Sequence, residues 1–109
     1  MYNYRAKVIR VIDAETFEVM VDLGFKTYRR EKIRLMGIDA YEKKTVKGQL
    51  ATKWVEDILD GDIELRVFKQ GKYGRYLAVV YYFDVGEKKN LNKELVEMGY
   101  AKEYNGGKR

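Results

Sequence analysis

The chain has 109 residues, of which 46% are hydrophobic and 36% are charged, and its 22 Lys and Arg outnumber its 17 Asp and Glu. This length is that of one domain and the hydrophobic share is enough for a core, so we expect a single folded domain over residues 1–109 and exclude a disordered chain. The net charge of +5 favours a polyanionic partner, and the absence of Cys and His excludes disulfide frameworks, Cys-zinc sites, thiolate nucleophiles and histidine bases.

The chain shows no pattern of a membrane or secreted protein. No apolar run approaches the ~18–20 residues that cross a bilayer. The first seven residues, MYNYRAK, do not begin a signal peptide. We therefore expect no membrane partner and a cytoplasmic location, or secretion if a leading segment has been removed.

The first third of the chain predicts three β-strands in a meander. Residues 7–12 are rich in β-branched side chains, and residues 13–14 follow as a turn. A strict alternation of apolar and polar residues then indicates a half-buried strand, with the apolar positions at Phe17, Val19, Val21 and Leu23. The third strand is predicted over residues 26–36.

The hydrophobic period changes in the rest of the chain. Apolar residues at helical spacing predict an amphipathic helix over residues 51–59. Alternation returns at residues 63–67 and 77–83, which predicts two more strands. A short helix is predicted over residues 91–96, and the last residues, 104–109, are predicted to form a frayed tail.

The predicted order of elements is β-β-β-α-β-β-α. Five short strands with a helix after the third indicate an α+β protein, a β-barrel with helices. The arrangement favours a five-stranded Greek-key barrel of the OB type. Periodicity alone leaves an SH3-like barrel open as the alternative.

Three polar segments lie at the ends of predicted strands: residues 12–16, 34–42 and 72–75. Each has an ordinary structural explanation. Acidic residues are common in turns and in the first turn of a helix. In the third segment, Gly74 suits a tight basic turn. Taken singly, none of the segments indicates a function.

Together, the three segments contain groups that could act in one reaction. Glu15 and Asp39 offer hard oxygen ligands, which suit Ca²⁺ or Mg²⁺. Arg34 and Arg75 are permanent cations whose planar forks match phosphate oxygens, and Glu42 is a further carboxylate near Asp39. A metal, two arginines and a carboxylate base are a minimal set for attack on a phosphodiester.

These segments resemble the motifs of the thermonuclease (staphylococcal nuclease-like) family. Residues 34–42, RLMGIDAYE, resemble the family pattern R-x-x-x-x-D-x-P-E. Residues 72–75 match its K-Y-G-R motif, and residues 12–16, IDAET, are similar to its V-D-G-D-T turn. The resemblance extends from about Val8 to Lys102 with the elements in the same order, and it implies the OB-fold.

The resemblance also implies a function. It implies a Ca²⁺-dependent phosphodiester hydrolase, an endo/exonuclease that cleaves DNA and RNA and leaves 3′-phosphate ends. Single-stranded nucleic acid is the expected substrate, the protein is expected to be a monomer, and no small-molecule cofactor is expected beside the metal.

The roles of individual residues are likewise implied by the resemblance. The implied metal ligands are Glu15, Asp39 and the carbonyl of Ala40. The implied catalytic residues are Arg34, which would bridge the scissile phosphate, Glu42, which would position or deprotonate the attacking water, and Arg75, which would stabilise the phosphorane. The implied substrate-binding residues, which would hold the neighbouring phosphate, are Lys72 and Tyr73.

The chain departs from the family pattern at two positions, and other functions stay open. Glu15 stands where the family has Asp, and Tyr41 stands where it has Pro. The main alternative is a non-catalytic OB module with a degraded metal site that binds single-stranded nucleic acid. Its base-stacking residues would be chosen among Tyr28, Tyr76 and Tyr104. A protein-interaction module is a third interpretation.

Overall fold

The computed structural model describes residues 2–104, apart from the side chain of Lys72. Its strands are β1 (Tyr2–Asp13), β2 (Thr16–Asp22), β3 (Tyr28–Leu35), β4 (Ile38–Ala40), β5 (Asp62–Gln70), β6 (Tyr76–Asp84), β7 (Glu87–Asn90) and β8 (Ala101–Glu103). Its helices are α1 (Val46–Ile58), α2 (Leu91–Glu97) and a 3₁₀ turn at Lys72–Gly74. Within these described residues, neither α-helix is long and apolar enough to cross a membrane.

Five of the described strands form a closed barrel. The order in the large sheet is β3-β2-β1-β5-β6-β7, and β3 also pairs with β6. This last pairing is parallel and joins Ile33 to Tyr76 and Leu35 to Ala78. Closure leaves β3 and β6 without a free edge along the pairing. The predicted five-stranded OB-type barrel with helices is therefore confirmed.

The structure has three short strands that the sequence pattern does not predict. β7 extends the sheet beside β6, whereas β4 and β8 form a separate two-stranded sheet. Strands of three or four residues are too short for an alternation to be recognised. β1 also begins earlier than predicted, at Tyr2, because the alternation of inward residues continues through Tyr4 and Ala6.

The helix α1 begins at Val46, five residues before the predicted start at Ala51. Val46 and Leu50 are exposed by 76% and 55%, so they interrupt the apolar face by which the helix is recognised. Thr45 caps the helix, because its side chain accepts a hydrogen bond from the N–H of Gly48.

The core consists of the inward residues of the barrel strands and the inner faces of both helices. The largest fully buried side chains are Phe17, Ile33, Leu35, Ile63, Leu65, Leu91, Leu95, Val19, Val55 and Val80. The Trp54 ring contacts the Tyr100 ring at 6.0 Å between centroids, which links α1 to the segment before β8.

Of the predicted tail, Tyr104 is described and its N–H donates to the carbonyl of Gly37 at 2.8 Å. Residues 105–109 lie outside the described residues.

The β6–β7 hairpin carries a strained residue. Its two central residues, Val85 and Gly86, have φ of 49° and 77°. This backbone suits Asn-Gly, and Val in the left-handed region is strained. Val85 is fully exposed, so its replacement removes no packing. We expect Val85→Asn to raise the free energy of unfolding by about 1 kcal/mol in urea titrations. Val85→Ile keeps the branched Cβ and should leave it unchanged; an equal gain in Val85→Ile would contradict the strain.

Candidate active site

Glu15 lies in the turn between β1 and β2, and its backbone is fixed on both sides. Its N–H donates to Oδ1 of Asp13 at 3.0 Å, a local hydrogen bond typical of turns. Its carbonyl accepts from the N–H of Leu35 at 2.8 Å, which ties the turn to the end of β3. The Glu15 side chain is 15% exposed. The turn therefore holds a carboxylate against β3 beside Arg34.

Arg34 lies between two carboxylates. Its Nη2 is 2.6 Å from Oε2 of Glu15 and 3.9 Å from Oδ1 of Asp39. Its Nη1 donates to the carbonyl of Leu35 at 2.5 Å. The Arg34 side chain is 15% exposed, because its strand neighbours face the core and it faces outward under the β1–β2 turn. These three groups thus hold the guanidinium in one orientation.

Asp39 and Ala40 belong to β4, which is held by β8 rather than by the barrel. Asp39 pairs with Lys102 and Ala40 pairs with Ala101. The backbone of Ala40 donates a hydrogen bond to the carboxylate of Glu15. The structure therefore brings together Glu15, Arg34, Asp39 and Ala40, which come from two of the three sequence segments.

Glu15 carries an unusual carboxylate. Its pKa is raised from 4.5 to about 7, chiefly because burial disfavours the charged form; the charges of Asp13 and Asp39 add to this rise, and Arg34 and the Ala40 amide oppose it. Oε2 of Glu15 is buried and accepts no hydrogen bond from the described residues. Its ion pair with Arg34 is short, but the guanidinium N–H does not point at the oxygen as a hydrogen bond requires.

The donors at this site fit a hard divalent cation. Oε2 of Glu15 is a buried carboxyl oxygen that accepts no hydrogen bond from the described residues, and Oδ1 of the half-buried Asp39 lies 3.9 Å from the same Arg34 nitrogen that pairs with Glu15. Ca²⁺ takes six to eight oxygen ligands, including backbone carbonyls and water. Glu15, Asp39 and the Ala40 carbonyl would hold it, with water or substrate completing the set. Among the described residues, no group of three or more His, Cys, Asp and Glu converges, so these ligands are fewer than a closed protein cage needs.

Glu42 lies at the entrance of α1, and its backbone is held while its carboxylate faces solvent. Its carbonyl accepts from the N–H and the Oγ1 of Thr45, at 3.0 and 2.7 Å. Its side chain is 73% exposed and pairs with Lys44 at 3.4 Å. Within residues 2–104, the structure does not bring the Glu42 carboxylate into the ion pairs of Arg34.

Gly48 is a site residue that none of the sequence motifs includes. It lies in the first turn of α1, and a Cβ built on it would be 1.8 Å from the carbonyl oxygen of Glu42. Only glycine therefore allows the helix to approach the backbone of Glu42 this closely. The sequence patterns offer no signal for it, because the predicted helix begins at Ala51 and leaves Gly48 outside.

Arg75 and Tyr73 lie on the turn that precedes β6. Tyr73 and Gly74 have φ of 59° and 72°, and the N–H of Gly71 donates to the carbonyl of Arg75 at 2.6 Å. The Arg75 guanidinium lies 5.6 Å from the centroid of the Tyr73 ring, which is 88% exposed. The parallel pairing of β3 and β6 places this turn beside the strand that carries Arg34. The Lys72 side chain lies outside the described part of the chain.

Gly48→Ala tests the contact between α1 and Glu42. At an ordinary helix position this change stabilises by about 1 kcal/mol, because alanine is the better helix former. Here we expect the free energy of unfolding to fall by roughly 1–3 kcal/mol, since the methyl group and the Glu42 carbonyl cannot both fit. Urea titration measures it, and Gln49→Ala, at the exposed next position, should stay within about 0.5 kcal/mol of wild type. A stabilised Gly48→Ala protein would show that the contact does not constrain the loop.

The raised pKa of Glu15 predicts a pH-dependent stability. Between pH 4.5 and about 7, the folded protein keeps a proton on Glu15 that the unfolded chain has lost. The free energy of unfolding of the wild type should therefore fall with rising pH, relative to that of Glu15→Gln, by on the order of 3 kcal/mol across this window. Urea titrations at pH 4 to 8 with a chelator present measure the difference. A difference that stays constant over this range would mean that the pKa of Glu15 is the same in the folded protein and in the unfolded chain.

Comparisons with known proteins identify a family and several relatives that this chain matches. The family model described as staphylococcal nuclease homologue matches residues 32–109. An uncharacterized endonuclease of Escherichia coli is 34% identical over 100 residues, which cover 91% of this chain and 60% of that protein. An uncharacterized endonuclease of Haemophilus influenzae is 35% identical over 100 residues, which cover 90% of this chain and 51% of that protein. A micrococcal nuclease of Shigella flexneri is 30% identical over 108 residues, which cover 94% of this chain and 59% of that protein.

The chain thus spans 60% or less of the length of these relatives. The family model, in contrast, covers well over half of the chain itself, including residues 34–42 and 72–75. Together with the OB-type barrel, this match shows that the chain belongs to the staphylococcal nuclease homologue family.

Proposed function

We propose that this protein is a Ca²⁺-dependent nuclease that hydrolyses DNA and RNA and leaves 3′-phosphate ends. The observation that carries the proposal is the position of the Arg34 guanidinium between the carboxylates of Glu15 and Asp39, at 2.6 and 3.9 Å. Family membership supports it, as do relatives whose names describe an endonuclease and a micrococcal nuclease. A preference for single strands, a monomeric state and a cytoplasmic location are part of the same proposal.

Arg34 would bind the scissile phosphate. A guanidinium has five N–H donors, and the Leu35 carbonyl takes only one of those on Arg34. The remaining donors would bond two oxygens of a phosphate in the planar fork that Arg forms. Because the flanking groups already orient the guanidinium, little reorganisation would accompany the build-up of charge on the phosphorane.

Glu42 would act as the general base. Its carboxylate would take a proton from a water molecule as that water's oxygen bonds to phosphorus, and the bond from phosphorus to the 5′ oxygen would break. The phosphate would then stay on the 3′ side. Glu42 must first leave Lys44, and an ion pair between side chains exposed by 73% and 84% resists this only weakly.

Arg75 and Tyr73 would bind the strand beside the scissile phosphate. Positive φ at Tyr73 projects the residue from its turn, and the ring is 88% exposed. The Arg75 cation faces that ring, so the pair offers a charge for a phosphate and a surface for a base. Arg75 would also stabilise the charge of the phosphorane.

A bound Ca²⁺ would supply positive charge to the phosphate oxygens and make the attacking water more acidic. Glu15, Asp39 and the Ala40 carbonyl would hold it. The longer side chain of Glu15, in the place where the resemblance implies Asp, is compatible with this because Ca²⁺ accepts variable geometry.

One observation favours a second candidate, a module that binds single-stranded nucleic acid without cleaving it. The base that the mechanism needs, Glu42, is exposed and paired with Lys44. Of the stacking candidates, Tyr28 is 59% exposed, whereas Tyr76 packs against the core and Tyr104 is half-buried. Exposed Tyr28 and Tyr73 could therefore stack on bases in the absence of cleavage.

Cleavage of single-stranded DNA and of RNA over a range of Ca²⁺ concentrations tests the proposal. We expect Ca²⁺-dependent cleavage by the wild type and a fall in kcat of on the order of 10²–10³-fold in Arg34→Lys, which cannot form the fork. Arg29→Lys is the matched control, since Arg29 is 65% exposed and pairs with Glu31 on the first half of β3. It should retain wild-type kcat.

Two further outcomes separate the candidates. If the wild type leaves both substrates intact but Glu15→Asp cleaves them, the proposed activity of this chain is wrong. The glutamate at position 15 of the proposed metal site would then be the reason that the wild type does not cleave. If both proteins bind oligonucleotides and neither cleaves at saturating Ca²⁺, the binding module is the correct function.

A further inference from the structure

Asn92 is a buried polar side chain in the first turn of α2. It is 6% exposed, and its carboxamide bonds three backbone groups of other elements. Nδ2 donates to the carbonyls of Met36 at 2.8 Å and Ala78 at 3.2 Å, and Oδ1 accepts from the N–H of Val80 at 3.0 Å. Both amide hydrogens and the oxygen are thus used. Helix capping does not explain this arrangement, because the neighbouring Asn90 already caps α2.

One of these bonds reaches the connection between Arg34 and Asp39. Met36 and Gly37 join β3 to β4, and Met36 is bonded on both sides. Its N–H donates to the carbonyl of Ala78 at 2.8 Å, and its carbonyl accepts from Asn92. The positive φ of Gly37, 80°, then turns the chain into β4. The exit direction of β4 from the barrel is therefore fixed at Met36.

We propose that Asn92 is a positioning residue, which holds the Met36 carbonyl and thereby sets the separation of Asp39 from the Glu15–Arg34 pair. Asp39 lies on the small β4–β8 sheet, whereas Glu15 and Arg34 lie on the barrel. Their spacing depends on the short connection that Asn92 holds. Loss of the donor to the part-buried Met36 carbonyl is costly, so without Asn92 the connection shifts towards another partner. A shift of about 1 Å in a catalytic group can lower a rate on the order of a hundredfold.

Two variants remove the bond in different ways. Asn92→Ser is neutral and too short to reach the Met36 carbonyl. Asn92→Asp keeps the acceptor for the N–H of Val80 and replaces the donor by an oxygen, but it buries a charge. If Asn92→Asp does not fold, Asn92→Ser decides the test.

Two controls separate positioning from a general loss of stability. Asn90→Asp makes the same change of charge on the same helix, and its oxygen still caps the N–H of Lys93. Leu95→Val removes buried volume from α2, because Leu95 is fully buried, without changing a bond to Met36. Urea titration of all variants identifies conditions in which each is folded.

The decisive readout is independent of activity. In metal-free protein, we expect the NMR amide signals of Gly37, Asp39 and Ala40 and the Nε–H signal of Arg34 to shift in Asn92→Ser beyond any shift in the two controls. Signals that match the Leu95→Val control in folded Asn92→Ser would overturn the proposal.

The effect on catalysis rests on the proposed nuclease function. Per folded molecule, we expect kcat on single-stranded DNA to fall on the order of 10- to 100-fold in Asn92→Ser and to stay at the wild-type value in both controls. A kcat for Asn92→Ser equal to that of Leu95→Val would overturn the positioning role. If the wild type itself does not cleave, the nuclease function fails, and the NMR comparison still decides the structural claim.

Discussion

The parallel pairing of β3 with β6 is the constraint on which the site depends. It joins strands that are far apart in sequence, and it makes the barrel a closed surface. Because side chains alternate along a strand, the inward Ile33 and Leu35 leave Arg34 on the outside. The same pairing brings the turn of Arg75 beside β3. The pairing that closes the barrel therefore also positions both arginines. A shift of its register by one residue would turn the Arg34 side chain towards the core.

The sequence predicts the barrel well because each barrel strand has a buried face long enough to show a period. Short strands show no such period: β4 has three residues, yet it carries Asp39. The start of α1 is hidden for another reason, since exposed Val46 and Leu50 obscure the apolar face. Contacts between distant segments carry no local signal either, which is why the hydrogen bonds of Asn92 become visible only in the folded chain.

At the candidate site, the sequence predicts the types of residue present but not the environment of each side chain. The motifs identify Glu15, Arg34 and Asp39 as charged groups near strand ends, and the structure adds their mutual distances. Sequence alone does not reveal that burial outweighs the attraction of Arg34 and raises the pKa of Glu15 to about 7. It does not reveal either that the nearby Glu42 faces solvent. The charged residues at strand ends can thus be identified from the sequence, whereas their protonation and contacts are properties of the packing.

The pairing of β4 with β8 has a consequence for how the protein is made. Chains are synthesised from the N-terminus, and domains fold as they emerge. All five barrel strands are complete at Asp84, before α2 and β8 have been translated. Arg34 lies on a barrel strand that is made early, whereas Asp39 has no partner strand until Ala101 and Lys102 emerge. The Asp39 side of the candidate site is therefore completed last, after the segments that carry Glu15 and Arg34 have been made.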